Sequence, residues 1–214
     1  MDIVRDAWLY VTENSDRFQE ALQVHGTLSL LALLCGLLLC VPLGIVCAKN
    51  EKVSLFVMNL FNSLRVIPSL AILVIILPLM GTGFGPAAVA LTILACPPIL
   101  INTFLGFRSI DPAILESAAG MGMSRGQILR KIELPLAMPL LVAGVRTAAV
   151  EVIASATLAA FIGGGGLGTF IINGLGMYDF ALLLVGAVPV AVLAIGTEVV
   201  LAGIERVFTK YQRV

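Results

Sequence analysis

The chain has 214 residues, 59% of them hydrophobic, with 13 Lys and Arg, 13 Asp and Glu, no net charge and a mean hydropathy of +1.06. Charged residues make up 12%, against about 25% in an average soluble domain, which is too few to cover a water-facing surface of this size. That balance excludes a soluble enzyme, a disordered protein and a nucleic-acid binder, and marks an integral membrane protein.

In residues 1–24, Trp8, Leu9, Tyr10 and Val11 alternate with Asp2, Asp6, Glu13, Asp16 and Glu20. This pattern predicts a helix over Asp2–Glu20 at the outer interface, with Trp8 and Tyr10 at headgroup depth. Met1–Gln23 lacks the basic region and apolar core of a signal peptide. Residues 25–207 form the transmembrane domain, and 208–214 a short tail. A span needs about 20 mostly apolar residues. Five segments qualify: His25–Ala48, Val53–Met80, Pro86–Phe107, Leu136–Ile162 and Phe180–Ile204. Gly81-Thr-Gly-Phe-Gly-Pro86 is a turn between the second and third.

Nine of the 13 basic residues fall on one side: Lys49, Lys52, Arg108, Arg125, Arg130, Lys131, Arg206, Lys210 and Arg213. An odd number of spans and this asymmetry together predict the N-terminus outside and the C-terminus in the cytoplasm.

The linker 108–135 is too long for a simple connection. Asp111-Pro112 is an N-cap followed by proline at the first helical position. A short helix through Ile114–Ala119 follows, and Gly120-Met-Gly122 allows a sharp turn. Ser124-Arg-Gly-Gln127 is a capping box opening a second helix, expected to stop before Pro135. Ile114, Leu115, Met121 and Met123 have no evident burial site of their own, which favours a hairpin that docks another protein over a solvated loop.

Arg65, Arg146, Glu151 and Glu198 lie within spans, where ionisable groups line a pathway or pair across helices. Arg146 and Glu151 are five apart, an imperfect spacing on one helix, so partners on other helices or a second subunit are expected. Ile162–Gly176 holds seven glycines and reads as an outer gate, with Gly165 and Gly166 allowing close approach of two subunits and Phe161, Leu167 and Phe170 as an apolar plug. Cys35, Cys40, Cys47 and Cys96 lack metal or redox spacing, and no metal site is expected. His25 stands at a span edge. No catalytic constellation and no phosphate-binding Gly-x-x-x-x-Gly-Lys motif occur; Gly163–Gly168 lacks the lysine. An ion-coupled secondary transporter or channel subunit is the alternative from another class.

Glu116-Ser117-Ala118, then Gly122, then Ile132-x-Leu134-Pro135, resembles the Glu-Ala-Ala…Gly…Ile-x-Leu-Pro loop of the permeases of bacterial binding-protein-dependent ABC importers. Ser117 replaces the usual alanine. Arg65-Val-Ile-Pro68-Ser-Leu-Ala71, Cys96-Pro-Pro-Ile-Leu-Ile-Asn102-Thr103 and Ala159-Ala-Phe-Ile-Gly-Gly-Gly-Gly-Leu-Gly168 resemble the glycine betaine/carnitine/choline branch. The resemblance implies an all-α, methionine-permease-like type I importer fold with five core helices, in the bacterial inner membrane. It implies a second permease subunit, two ATPase subunits that carry ATP and magnesium, and an external binding protein. It implies no cofactor and no enzymatic activity in this chain. Glu116, Ser117, Ala118, Gly122, Ile132, Leu134 and Pro135 would then couple to the ATPase, and Arg65, Pro68, Asn102, Arg146, Glu151, Phe161, Gly165, Gly166 and Leu167 would belong to the pathway and gate.

Overall fold

The computed structural model describes residues 2–210 and is all-α across them, with no strand among the described residues. Tyr211, Arg213 and the rest of 211–214 lie outside the described residues, so only the first part of the expected tail can be placed, within the last helix.

The helices are α1 (Ile3–Glu13), α2 (Ser15–Lys49), α3 (Glu51–Leu64), α4 (Ser69–Met80), α5 (Phe84–Arg108), α6 (Pro112–Gly120), α7 (Arg125–Ile128), α8 (Leu134–Ser155), α9 (Gly168–Met177) and α10 (Phe180–Lys210). A π turn, Leu129–Glu133, joins α7 to α8, and a 3₁₀ turn, Leu158–Ile162, follows α8. Four helices among the described residues are long and apolar enough to cross a membrane; α3 and α4 pass that test together but meet at 99°.

Three expectations about local structure change. The interfacial helix is not one piece: it breaks at Asn14, whose φ of −120° and ψ of 41° leave the α region, and Ser15–Val24 belong to α2. With 35 residues, α2 is about 52 Å long at ~1.5 Å per residue, well beyond a hydrocarbon core of ~30 Å. Polar residues such as Asp16 and Glu20 therefore sit on a helical extension of the span. The second segment is an elbow rather than a straight span. Pro68 has no N–H and restricts Ile67 to extended backbone, so α3 closes with the bonds Val66 N–H to Ser63 O and Ile67 N–H to Leu64 O, and α4 restarts beyond. Finally, the helix does not stop before Pro135. Leu134 N–H bonds to Leu129 O, five residues back, and this widened turn takes up the proline while the helix continues into α8.

The core forms around α5, whose most apolar window is 67% buried, against 22% for α10. Leu91, Ile99 and Leu100 of α5 meet Leu28 and Ala32 of α2 and Ala148 and Val152 of α8, all fully or almost fully buried. The backbones approach closely because small residues stand at the crossings. A Cβ on Gly36 would lie 3.1 Å from Ala95 Cβ, and one on Gly44 would lie 2.8 Å from Thr103 Cβ. On the other side of α5, a Cβ on Gly106 would meet Ala137 O at 3.0 Å, and one on Gly144 would meet Asn102 Cβ at 2.6 Å and Pro98 O at 2.8 Å. In lipid, where apolar burial gives little drive between helices, this close contact is the main source of association.

Gly144→Ala is therefore expected to force α5 and α8 apart and destabilise by ~1–3 kcal/mol, seen as a lower thermal unfolding midpoint in detergent. Gly196→Ala, at a position with no atom within 4 Å of the new Cβ, should leave the midpoint unchanged.

Candidate functional site: the hairpin end and the charged helix faces

The hairpin at 108–135 is built by its caps. Asp111 accepts a hydrogen bond from Ala113 N–H at 2.9 Å, with Pro112 in the first turn of α6. Its other end is a Schellman closure: Met123 N–H bonds to Ala118 O at 3.2 Å and Gly122 N–H to Ala119 O at 2.9 Å, with Gly122 at φ +82°. Gly122 alone reverses the chain, since Gly120 is the last residue of α6. The capping box of α7 forms as the sequence predicts, with Ser124 N–H donating to Gln127 Oε1 at 2.8 Å and Gln127 N–H to Ser124 Oγ at 3.4 Å.

The two caps fix a hairpin with part of its apolar surface outward, while Leu115 and Met123, expected to have no burial site, are half-buried. Ile114 and Met121 are exposed, the latter 75%, while Ala118 is the one buried residue of α6. Ser117 is exposed and its hydroxyl donates to Ala113 O. Glu116 is exposed and makes no ion pair within the described residues. Ile132 lies half-buried in the π turn, and Leu134 and Pro135 are exposed at the start of α8. The structure thus brings Glu116, Ser117, Ala118 and Gly122 together on the hairpin and sets Ile132, Leu134 and Pro135 at its root.

Arg146 and Glu198, two of the four charges within the spans, pair across helices. Arg146 of α8 reaches two carboxylates of α10, with Nε 3.2 Å from Glu198 Oε1 and Nη1 2.5 Å from Glu205 Oε2. Glu205 lies beyond the end expected for the fifth span and was not anticipated. Its seven-residue spacing from Glu198, two helical turns on one face, is the signal that could have found it. Glu151 makes no such bond, but Arg65, at the elbow, lies within its electrostatic reach. Both side chains are exposed. Pro68 forms the elbow itself. Asn102 turns back on its own helix, donating from Nδ2 to Pro98 O at 2.8 Å.

At the opposite end from the hairpin, Ile162–Gly176 is mostly ordered helix rather than loop, because α9 begins at Gly168. All of its glycines but Gly176 pack against the same chain. A Cβ on Gly164 would lie 2.7 Å from Ala87 Cβ, one on Gly168 would run into Thr157 O, and Gly166, at φ +80°, packs on the backbone of His25. Gly165 has φ +74° and faces Val24. Leu167 and Phe170, read with Phe161 as an apolar plug, are core residues of this chain; Phe161 alone of the three is exposed, at 56%. Phe170 is held by Tyr10 edge-on and by Phe18 stacked, so Tyr10 belongs to this cluster while Trp8 stays exposed. His25 is fully buried rather than at a wet edge, with Nε2 3.1 Å from Ile153 O. The four cysteines are free thiols, and no cluster of metal-ligating residues occurs among the described residues.

A bundle of long apolar helices with a capped hairpin on one end and ion pairs between its helices defines a protein built to span a membrane. A family model described as "Binding-protein-dependent transport system inner membrane component" matches residues 40–210, and the chain belongs to that family. It is 45% identical over 185 residues to the choline transport system permease protein OpuBB of Bacillus subtilis, covering 86% of this chain and 85% of the relative. It is 46% identical over 181 residues to the carnitine transport permease protein OpuCB of Listeria monocytogenes, covering 85% and 83%. The osmoprotectant import permease protein OsmW of Salmonella typhimurium is 33% identical over 205 residues, covering 94% and 95%. In fold, the chain resembles the MetNI methionine ABC transporter in an inward-facing form, with a TM-score of 0.81 at 22% identity over 90% of this chain and 96% of that one. The chain is thus a multi-pass inner-membrane permease of the ABC importer class, with the type I helical fold.

Because Arg146 holds two carboxylates, Arg146→Met should destabilise the α8–α10 contact more than Glu198→Gln, which leaves Arg146 paired with Glu205. Unfolding in detergent at neutral pH checks the order of the two midpoints; equal losses would contradict it.

Proposed function

We propose that this chain imports quaternary ammonium osmoprotectants (glycine betaine, carnitine, choline or proline betaine) as one of two permease subunits, driven by two separate ATPase subunits and supplied by an extracytoplasmic binding protein. ATP and magnesium belong to the ATPase, and this chain carries no catalytic residue. The observation that carries the reading is the hairpin: two capped helices turned by Gly122, with Glu116, Ile114 and Met121 free on its outer face. This is a rigid surface with both an apolar and an acidic contact to offer the ATPase. The printed names of the relatives, which include choline, carnitine and osmoprotectant transport, support the substrate class.

The hairpin side faces the cytoplasm in this reading, and the N-terminus lies outside. Lys49, Arg108, Arg125, Arg130 and Lys131 gather at the hairpin end, as retention of positive charge in the cytoplasm requires. Arg65, Glu151 and Phe161 are exposed on the single chain and are candidates to face the second permease or the pathway. Gly165 and Gly166 then act at the outer end by keeping α2 and the start of α9 in close contact.

Reconstituted with its ATPase, the permease should take up a radiolabelled quaternary ammonium compound only when binding protein and ATP are both present. Uptake by the permease alone under a proton or sodium gradient would instead make it a secondary transporter. Gly122→Val should cost about 1–2 kcal/mol for the left-handed backbone and reduce ATPase co-purification. Gly120→Ala, with open space around it, should leave co-purification intact, and parallel behaviour of the two would remove the hairpin from the docking surface.

A further inference from the structure

At the hairpin end, a cavity of about 420 Å³ lies between the last turns of α2 and α5 and the first turn of α6, lined by Lys49, Phe107, Arg108, Pro112, Leu115 and Glu133 among others. The hairpin therefore sits over a partly open cleft with both charged and apolar walls. Its covalent attachments are the short stretch 109–111 ahead of α6 and the π turn behind α7. In the π turn the regular i to i−4 ladder gives way to a wider one, with Leu134 N–H bonded to Leu129 O, and Pro135 has no N–H to donate.

One polar contact bridges the space. Glu133, the last residue of the π turn, has a side chain only 11% exposed, and its Oε2 lies 2.9 Å from Nζ of Lys49, the last residue of α2. The two are 84 positions apart in sequence, so local folding does not bring them together. A carboxylate this buried is costly without a partner, which ties the π turn to α2. Lys49 is 49% exposed on its side chain, leaving its long arm free to follow the turn or release it.

We propose that the Lys49–Glu133 ion pair is the joint that carries hairpin movement into α2, which makes both of them positioning residues for the coupling of ATP hydrolysis to transport. The proposal rests on the permease reading above. With the pair intact, a push on the hairpin moves the π turn and the end of α2 as one body. With it broken, no side-chain bond holds the π turn to the end of α2, and the two move separately.

The test uses the intact complex in proteoliposomes, with Lys49→Met, Glu133→Gln, Lys49→Met/Glu133→Gln and the conservative Lys49→Arg. ATPase co-purification, hydrolysis with and without loaded binding protein, and substrate moved per ATP are measured together. Both neutralising variants should keep the ATPase and basal hydrolysis, while stimulation by binding protein falls on the order of five-fold or more, the scale of a typical coupling between sites. Lys49→Arg should restore stimulation, and the double variant should be no worse than either single, because both act on one contact. Unchanged stimulation in both singles would overturn the joint. So would loss of the ATPase in both without rescue by Lys49→Arg, since the pair would then be a strut needed for assembly. A parent complex that shows no stimulation at all would overturn the proposed import driven by binding protein and ATPase, and the joint with it.

Discussion

Everything in this bundle depends on how closely its backbones approach along α5. Gly36 and Gly44 of α2 let that helix lie against Ala95 and Thr103 of α5, and Gly106 of α5 and Gly144 of α8 let those two helices meet at Ala137 and Asn102. In water, hydrophobic burial would hold such helices even with looser contact. In lipid the competing solvent is equally apolar, and van der Waals contact between main chains has to do most of that work. The central helix is consequently furnished with small residues and prolines rather than with a large apolar stripe. The ion pairs are then built onto a scaffold whose spacing is already fixed, which is why Arg146 can reach two carboxylates of α10 across the gap from α8.

Prolines have different effects in this chain according to what surrounds them. Pro68 breaks its helix and produces a 99° elbow, whereas Pro135 is carried through by a π turn and Pro97-Pro98 lie inside an uninterrupted α5. In each case the missing N–H and the ring must be accommodated. At Pro68 the residues ahead are exposed and free to leave the helix. At Pro97-Pro98 the segment is buried on all sides and held by α2 and α8. Membrane helices tolerate proline where neighbouring helices keep the freed groups satisfied.

These differences explain what could be read from the residues alone. The caps at Asp111, Ser124 and Gln127 and the reversal at Gly122 are local, each set by residues within a turn or two, and the structure forms them as read; of the five apolar segments, the second is an elbow of two helices rather than one span. The fate of Pro135 was not legible, because a helix stop and a widened turn satisfy the same local rule and only continuation into α8 distinguishes them. The Lys49–Glu133 pair was invisible for a different reason: nothing in a spacing of 84 residues encodes a contact. Leu167 looked like a plug because its neighbours are glycines, yet those glycines are what allow it to sink beside Leu182 and Val185. Glu205 was missed by one residue of span boundary.

The length of α2 has one further consequence. The same helix ends at Lys49 on the hairpin side and carries Val24 and His25 against Gly165 and Gly166 on the other. An α-helix is far stiffer along its axis than the loops around it, so α2 joins the two ends as one continuous helix, packed on α5 at both Gly36 and Gly44. The two faces of the membrane are mechanically adjacent through a single rod, although no side chain at one end comes near the other.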